Sequence, residues 1–214
     1  MRIISVNVGL PIQVNFGSEL VTTGIFKNPV KHRVQLNKLN LDGDKQADLT
    51  VHGGIDKAVY AYPSEHYEFW KNEIKDFEYS WGTFGENLTT EGLFEDKVNI
   101  GDQFKIGNAK VIATQPRMPC YKLGVRFGRM DIIRKFMASE RSGIYFKVEK
   151  EGEIGEGDKI ELIKSDKNNV SIHDIVRLQT SESKNKELMN RAIKHKELPE
   201  GWRNYFIEKI SLLK

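Results

Sequence analysis

The chain has 214 residues, with 33 Lys+Arg against 30 Asp+Glu, a formal net charge of +3. That length can bury a real core in one or two domains, and so even a charge argues against whole-chain binding to nucleic acid or acidic lipid. No apolar run approaches the roughly 18 residues of a membrane span, and Met1 to Gly9 contains neither a long apolar stretch nor a small-residue cleavage site, so a cytoplasmic protein with no membrane partner is expected.

Short runs rich in Val, Ile, Phe and Tyr, separated by Gly, Asn and Asp, predict strands over residues 3–8, 59–62, 98–100, 103–106, 110–114, 144–148 and 159–163. Ile100-Gly101-Asp102-Gln103-Phe104 and Gly155-Glu156-Gly157-Asp158-Lys159-Ile160 each read as a turn feeding a strand, because Gly tolerates positive φ and Asp bonds its own backbone. Many short strands so punctuated suggest a barrel or sandwich. Two helices interrupt them. One covers 65–72, with Ser64 as its cap. The other covers 131–139, apolar on one face through Ile132, Ile133, Phe136 and Met137.

Composition changes near residue 164. Seventeen of the 18 glycines precede it, and residues 164–214 carry 11 Lys+Arg against 7 Asp+Glu, a net +4. The polar stretch 164–169 therefore divides a β-rich unit, 1–164, from a helical segment, 165–214. In that segment Ser171 is a cap with Asp174 as an approximate capping-box partner, and Ile172, Ile175, Val176 and Leu178 follow at helical spacing. Residues 186–195 and 201–213 complete a three-helix cluster. The fold class is mainly β within α+β.

The one cysteine, Cys120, cannot form an intrachain disulfide, a cysteine zinc site or an iron–sulfur cluster. It lies in Gln115-Pro116-Arg117-Met118-Pro119-Cys120-Tyr121-Lys122-Leu123, where two prolines stiffen a loop at a strand end and Arg117 and Lys122 flank the sulfur. Neighbouring cations raise the thiolate fraction. The plainer reading is a small buried core residue. His52-Gly53-Gly54-Ile55-Asp56-Lys57 reads either as an anion-binding nest with cationic donors at His52 and Lys57, or as a tight turn. Phe84-Gly85-Glu86-Asn87-Leu88 places a carboxylate and an amide beside the site, or makes an ordinary turn. Arg126 and Arg129, next to Gly124 and Gly128, sit in a loop trailing the thiol and could grip phosphate oxygens.

Gln46-Ala47-Asp48, His52-Gly53-Gly54, Asp56-Lys57-Ala58-Val59, Gly85-Glu86-Asn87-Leu88 and Pro116-Arg117-Met118-Pro119-Cys120-Tyr121-Lys122-Leu123 together resemble the MOSC domain family, named for the molybdenum cofactor sulfurase C-terminal domain. Within it the chain resembles the YiiM-like branch, in which a MOSC β-barrel precedes three small helices. The resemblance implies binding of the molybdenum cofactor, a phosphate-bearing pyranopterin, with Cys120 as metal ligand. A soft thiolate suits such a centre. Gly53, Gly54, Lys57, Asn87, Arg117, Lys122, Arg126 and Arg129 are the expected cofactor-binding residues. The implied reaction is reduction of N-hydroxylated compounds, notably hydroxylaminopurine-type base analogues, a detoxification; beside Cys120, His52, Glu86 or another site acid could relay the protons it needs. The sequence carries no flavin, haem or iron–sulfur signature, so an external electron-donating reductase is expected as partner. The alternative is a sulfur carrier with a persulfide on Cys120. The tail packs on the barrel, docks the donor or builds a homodimer, and a net +4 is slight for nucleic acid.

Overall fold

Side-chain alternation along the strands explains the architecture of the computed structural model, which describes residues 1–47 and 53–213. In chain order the strands are β1 (Arg2–Val8), β2 (Ile12–Phe16), β3 (Glu19–Thr23), β4 (Asn28–Val30), β5 (Val34–Leu36), β6 (Val59–Pro63), β7 (Leu88–Glu91), β8 (Gln103–Ile106), β9 (Ala109–Pro116), β10 (Ile144–Lys150), β11 (Gly152–Ile154) and β12 (Ile160–Lys164). The helices are α1 (Glu65–Glu73), α2 (Tyr121–Phe127), α3 (Asp131–Ser139), α4 (Ile172–Arg177), α5 (Lys186–Ala192) and α6 (Glu200–Leu212). The fold is mixed α+β. No described helix is long and apolar enough to cross a membrane.

Eight strands form one sheet in the order β12-β8-β9-β10-β6-β7-β1-β4. β6 and β7 are parallel, joined across α1, and the other pairs are antiparallel. This sheet is not a closed barrel, which corrects the expectation from the sequence. β4 occupies the outer edge of β1 at Val6, Asn7 and Val8. Only the start of β1 remains for the other end of the sheet. Arg2 and Lys159 meet there in an isolated bridge, and Ile160 N–H donates to the Met1 carbonyl at 2.9 Å. The sheet curls toward closure without a continuous ladder.

All five residues of β6 are buried, because each of its faces meets a different core. Val59 and Ala61 point into an aliphatic cluster that contains Ile3, Val6, Phe104, Phe146 and the tail residues Ile172, Leu178, Met189 and Phe206. Tyr60 and Tyr62 point into an aromatic cluster with Tyr67, Trp70, Phe84, Phe127 and Phe136, assembled from α1, α2, α3 and the loop before β7. The three tail helices thus share one core with the strands.

Several local expectations changed. Residues 98–100 form no strand. They bridge to the entrance of α4 through Asn99 and Ser171, with Ile100 N–H donating to the Val170 carbonyl at 2.9 Å. Ser64 takes helical angles (φ −61°, ψ −28°), so its side chain does not cap α1. Ser171, with extended ψ, does cap α4, and both halves of its box with Asp174 form at 3.0 Å. The expected loop after Cys120 is α2. Gly124 within it allows a close approach, since a Cβ there would lie 2.4 Å from the Met130 sulfur.

Candidate functional site

β9 stays paired as far as Pro116, opposite Ile144 of β10. The chain then runs extended to Cys120 (φ −125°, ψ 174°), which stands immediately before α2, and its carbonyl accepts from Leu123 N–H at 2.9 Å. Cys120 is half-buried and lines a pocket of about 660 Å³, counted to its open mouth. Lys27, Lys45, Lys57, Lys122 and Arg117 line the same pocket, against one described acid, Asp44. Five cations drawn from four stretches of chain onto one concavity make an anion site with a sulfur at its wall.

A buried polar network sets the shape of this wall. Asp44 is ion-paired with Lys27, and both are buried. Asp44 also accepts from Gly9 N–H at 3.0 Å and from the Asn87 amide at 2.9 Å. The Asn87 amide oxygen in turn accepts Tyr60 N–H at 3.1 Å. Asn87 therefore ties β6 to the loop carrying Asp44. Arg117 is 6% exposed and lies over the rings of Tyr60 (5.6 Å) and Phe136 (5.1 Å). Its Nη1 is buried with no hydrogen-bond partner among the described residues. An orphaned guanidinium donor at a pocket wall is a strong requirement for an acceptor.

Burial dominates the titration of the neighbours. It raises the Tyr145 phenol, with Arg117 opposing, and pushes the Tyr60 phenol well up. It lowers the Lys57 ammonium, against the pull of Asp56. The aromatic hydroxyls hold their protons, and Lys57 releases its own more easily than an exposed lysine.

Of the residues singled out in the sequence, the structure places Cys120, Lys57, Asn87, Arg117 and Lys122 on the lining of one pocket. It does not gather the others. Glu86 is fully buried outside the pocket lining, where it accepts from Tyr67 O–H, Gly82 N–H (2.9 Å), Phe84 N–H (3.0 Å) and Thr89 O–H (2.8 Å). Its carboxylate clamps the turn before β7, and burial raises its pKa. Gly53 and Gly54 line a different cavity. Arg126 lies over Phe26 (5.0 Å) and Phe77 (5.7 Å). Arg129 is exposed and paired with Asp131 at 2.6 Å. His52 lies outside the described residues. Sequence reasoning missed Lys27, Asp44, Lys45, Tyr60 and Tyr145. The first three come from loops with no local motif, and the tyrosines read as ordinary strand residues.

The MOSC domain family matches residues 48–161. The chain is 39% identical to YflK of Bacillus subtilis (strain 168) over 207 residues, which cover 97% of this chain and 93% of that protein. A crystal structure of YiiM from Geobacillus stearothermophilus superposes with a TM-score of 0.82 at 34% identity, covering 98% of each chain. A protein of Gibberella moniliformis (strain M3125 / FGSC 7600) named "Reductase" is 33% identical over 146 residues, 67% of this chain but 26% of that protein.

Proposed function

This chain belongs to the MOSC domain family, and from that premise we propose that it is a molybdenum-cofactor-dependent reductase of N-hydroxylated compounds, with hydroxylaminopurine-type base analogues as substrates. The observation that carries the proposal is the pocket holding Cys120 beside the orphaned Arg117 Nη1 and four lysines. Those residues fit the group. Cys120 would be the soft ligand for the metal, and Arg117, Lys27, Lys45, Lys57 and Lys122 would hold its phosphate. A persulfide carrier would need the sulfur but not five cations around it, which favours the reductase over the sulfur-carrier reading.

The cofactor, when bound, supplies the two-electron chemistry that removes the oxygen. The overall change is N–OH plus two electrons and two protons to N–H plus water. The chain's part is to bind, to exclude water and to supply protons. Lys57 Nζ is the proton donor, since burial eases its release of a proton. Tyr145 keeps its O–H and orients the leaving oxygen by hydrogen bond. Glu86 is dropped from this role because its carboxylate is committed to the turn before β7. Electrons come from a separate reductase. The fungal relative named "Reductase" is consistent with this, since the matched segment is 26% of a much longer chain.

Purification from cells that make the cofactor tests the reading. Wild type should carry molybdenum and pterin near one per chain, and Cys120→Ser should lose the metal while keeping its fold by circular dichroism. Absence of both from wild type, or unchanged metal in the variant, overturns it.

A further inference from the structure

β2 and β3 stand apart from the eight-stranded sheet. They pair only with each other, from Ile12 opposite Thr23 to Phe16 opposite Glu19, as a two-stranded hairpin. Such a ribbon is marginal in water by itself. Its loop is Gly17-Ser18, with Gly17 at φ 61°. A two-residue loop leaves its flanking pair hydrogen-bonded, and the bonding then alternates along the ladder. Phe16, Val14 and Ile12 therefore bond inward to β3, whereas Gln13 and Asn15 turn their N–H and C=O groups away from it. Among the described residues no backbone group of another element reaches them, and both residues are exposed.

Edge strands that stay single are defended by charge, by proline or by a covering segment. This edge has no such defence along its length. Residues 10–23 carry one charge, Glu19, in a chain in which 29% of residues are charged. Three large apolar side chains stand exposed around it, Leu10 (61%), Ile12 (45%) and Leu20 (61%). Pro11, which has no N–H, ends the open edge on one side, and the turn at Gly17 ends it on the other. Between them Ile12-Gln13-Val14-Asn15-Phe16 has the same pattern from either end: apolar, amide, apolar, amide, apolar.

We propose that the β2 edge binds a second copy of this chain, the two hairpins joining antiparallel about a two-fold axis at Val14 to make one four-stranded sheet. In that register Gln13 lies opposite the partner's Asn15, both turned outward, so the pair exchanges two backbone hydrogen bonds and its symmetry mate does the same. Side chains match as well. Ile12 meets the partner's Phe16, Val14 meets the partner's Val14, amide meets amide, and no like charges face each other across the seam. A two-residue slip would bring Pro11 or Gly17 into the ladder, which fixes the register. The palindrome selects a second copy over an unrelated protein, whose docking would have no need of it. β3 continues into Gly24, Ile25 and Lys27 on the lining of the thiol pocket, so the joined hairpins brace that wall from outside. The pairing does not depend on what the pocket binds.

Sedimentation equilibrium of the cofactor-free full chain tests it, at about 50 µM, where a micromolar dimer is largely formed. Wild type should sediment at twice its 24.6 kDa. Two double variants then read the register, because positions 13 and 15 face only the uncharged Thr22 and Leu20 within their own hairpin. Q13K/N15K sets like charges opposite each other across the axis and should weaken the dimer at least about tenfold. Q13K/N15E alters the same positions but sets opposite charges together, and should dimerise at least as tightly as wild type at low salt. Circular dichroism should match wild type for both. If Q13K/N15K does not fold, Q13E/N15E against Q13E/N15K repeats the comparison with the signs reversed. A monomeric wild type, equal dissociation constants for the like-charged and opposite-charged variants, or weaker association of the opposite-charged one overturns the proposal. A failed metal measurement would sink the reductase reading and leave this interface standing.

Discussion

The two buried clusters that meet at β6 hold polar atoms on different terms. On the aliphatic side, Val59 and Ala61 face a cluster built almost entirely of hydrocarbon and closed by Phe206 of the tail. On the aromatic side, Tyr60 and Tyr62 face rings that carry polar atoms with partners: the Trp70 N–H donates to Tyr62 O–H at 2.7 Å, and Tyr67 O–H donates to Glu86. The aliphatic cluster supplies burial, which scales with apolar area and needs no direction. The aromatic cluster supplies direction, because each hydroxyl and carboxylate must be met. The thiol pocket stands on the aromatic side, where Tyr60 and Phe136 seat Arg117.

Breaking the aliphatic side should cost most. Phe206→Ala empties a fully buried site and should lower stability by about 3–5 kcal/mol, read as the shift in urea midpoint at constant slope. A loss under about 1 kcal/mol would mean that the tail does not close that core. Breaking the aromatic side should cost less in stability and more in geometry. Glu86→Gln keeps the volume but replaces one acceptor oxygen by an N–H₂ group, which then faces the Phe84 N–H or the other three donors, for an expected loss of about 1–3 kcal/mol. Tryptophan fluorescence and near-ultraviolet dichroism should change with it, as the Tyr67 ring shifts against Trp81 and Phe84.

The smallest effect concerns His195, a polar intruder on the tail side. It is 2% exposed, its Nε2 has no partner among the described residues, and its Nδ1 lies 3.7 Å from Asp166. Burial lowers its pKa from the ordinary 6.5, with Asp166 opposing and Arg191 assisting. A base whose folded pKa is depressed contributes stability that is present above 6.5 and is lost as pH falls through the lowered value. Urea midpoints of wild type should therefore fall as pH drops below 6.5, and His195→Phe should fall less. Equal slopes would assign the acid sensitivity to another group.

Much of the fold was legible because period and punctuation are local. The Val and Tyr content of residues 59–62 marked β6. The spacing of Ile172, Ile175 and Val176 marked α4. What failed was long-range. Gly124 and Gly128 made 121–129 look like a loop, yet Gly124 serves the contact with Met130, and Gly128 ends α2 in the left-handed region. The closed barrel was not reached because β4 takes an edge that no local pattern reserves. In the site, the motif around Cys120 was readable as a stiff cationic loop. Lys27 and Asp44 were not, since their meaning lies in a pairing across 17 residues within a wall that exists only when the chain is folded. Glu86 was read as a reagent because a carboxylate beside glycine gives no sign of how many N–H groups will surround it.

The shared core has a consequence for biosynthesis. Phe206 belongs to the cluster that begins with Ile3, so residues near the two extremes of the described chain must meet before that interior is sealed. A ribosome-bound intermediate lacking α6 would present an unfilled apolar mouth to its surroundings, a state prone to self-association. Sealing of this interior therefore waits for α6, and variants that weaken the seat of Phe206 should lean more on holdase chaperones than wild type does.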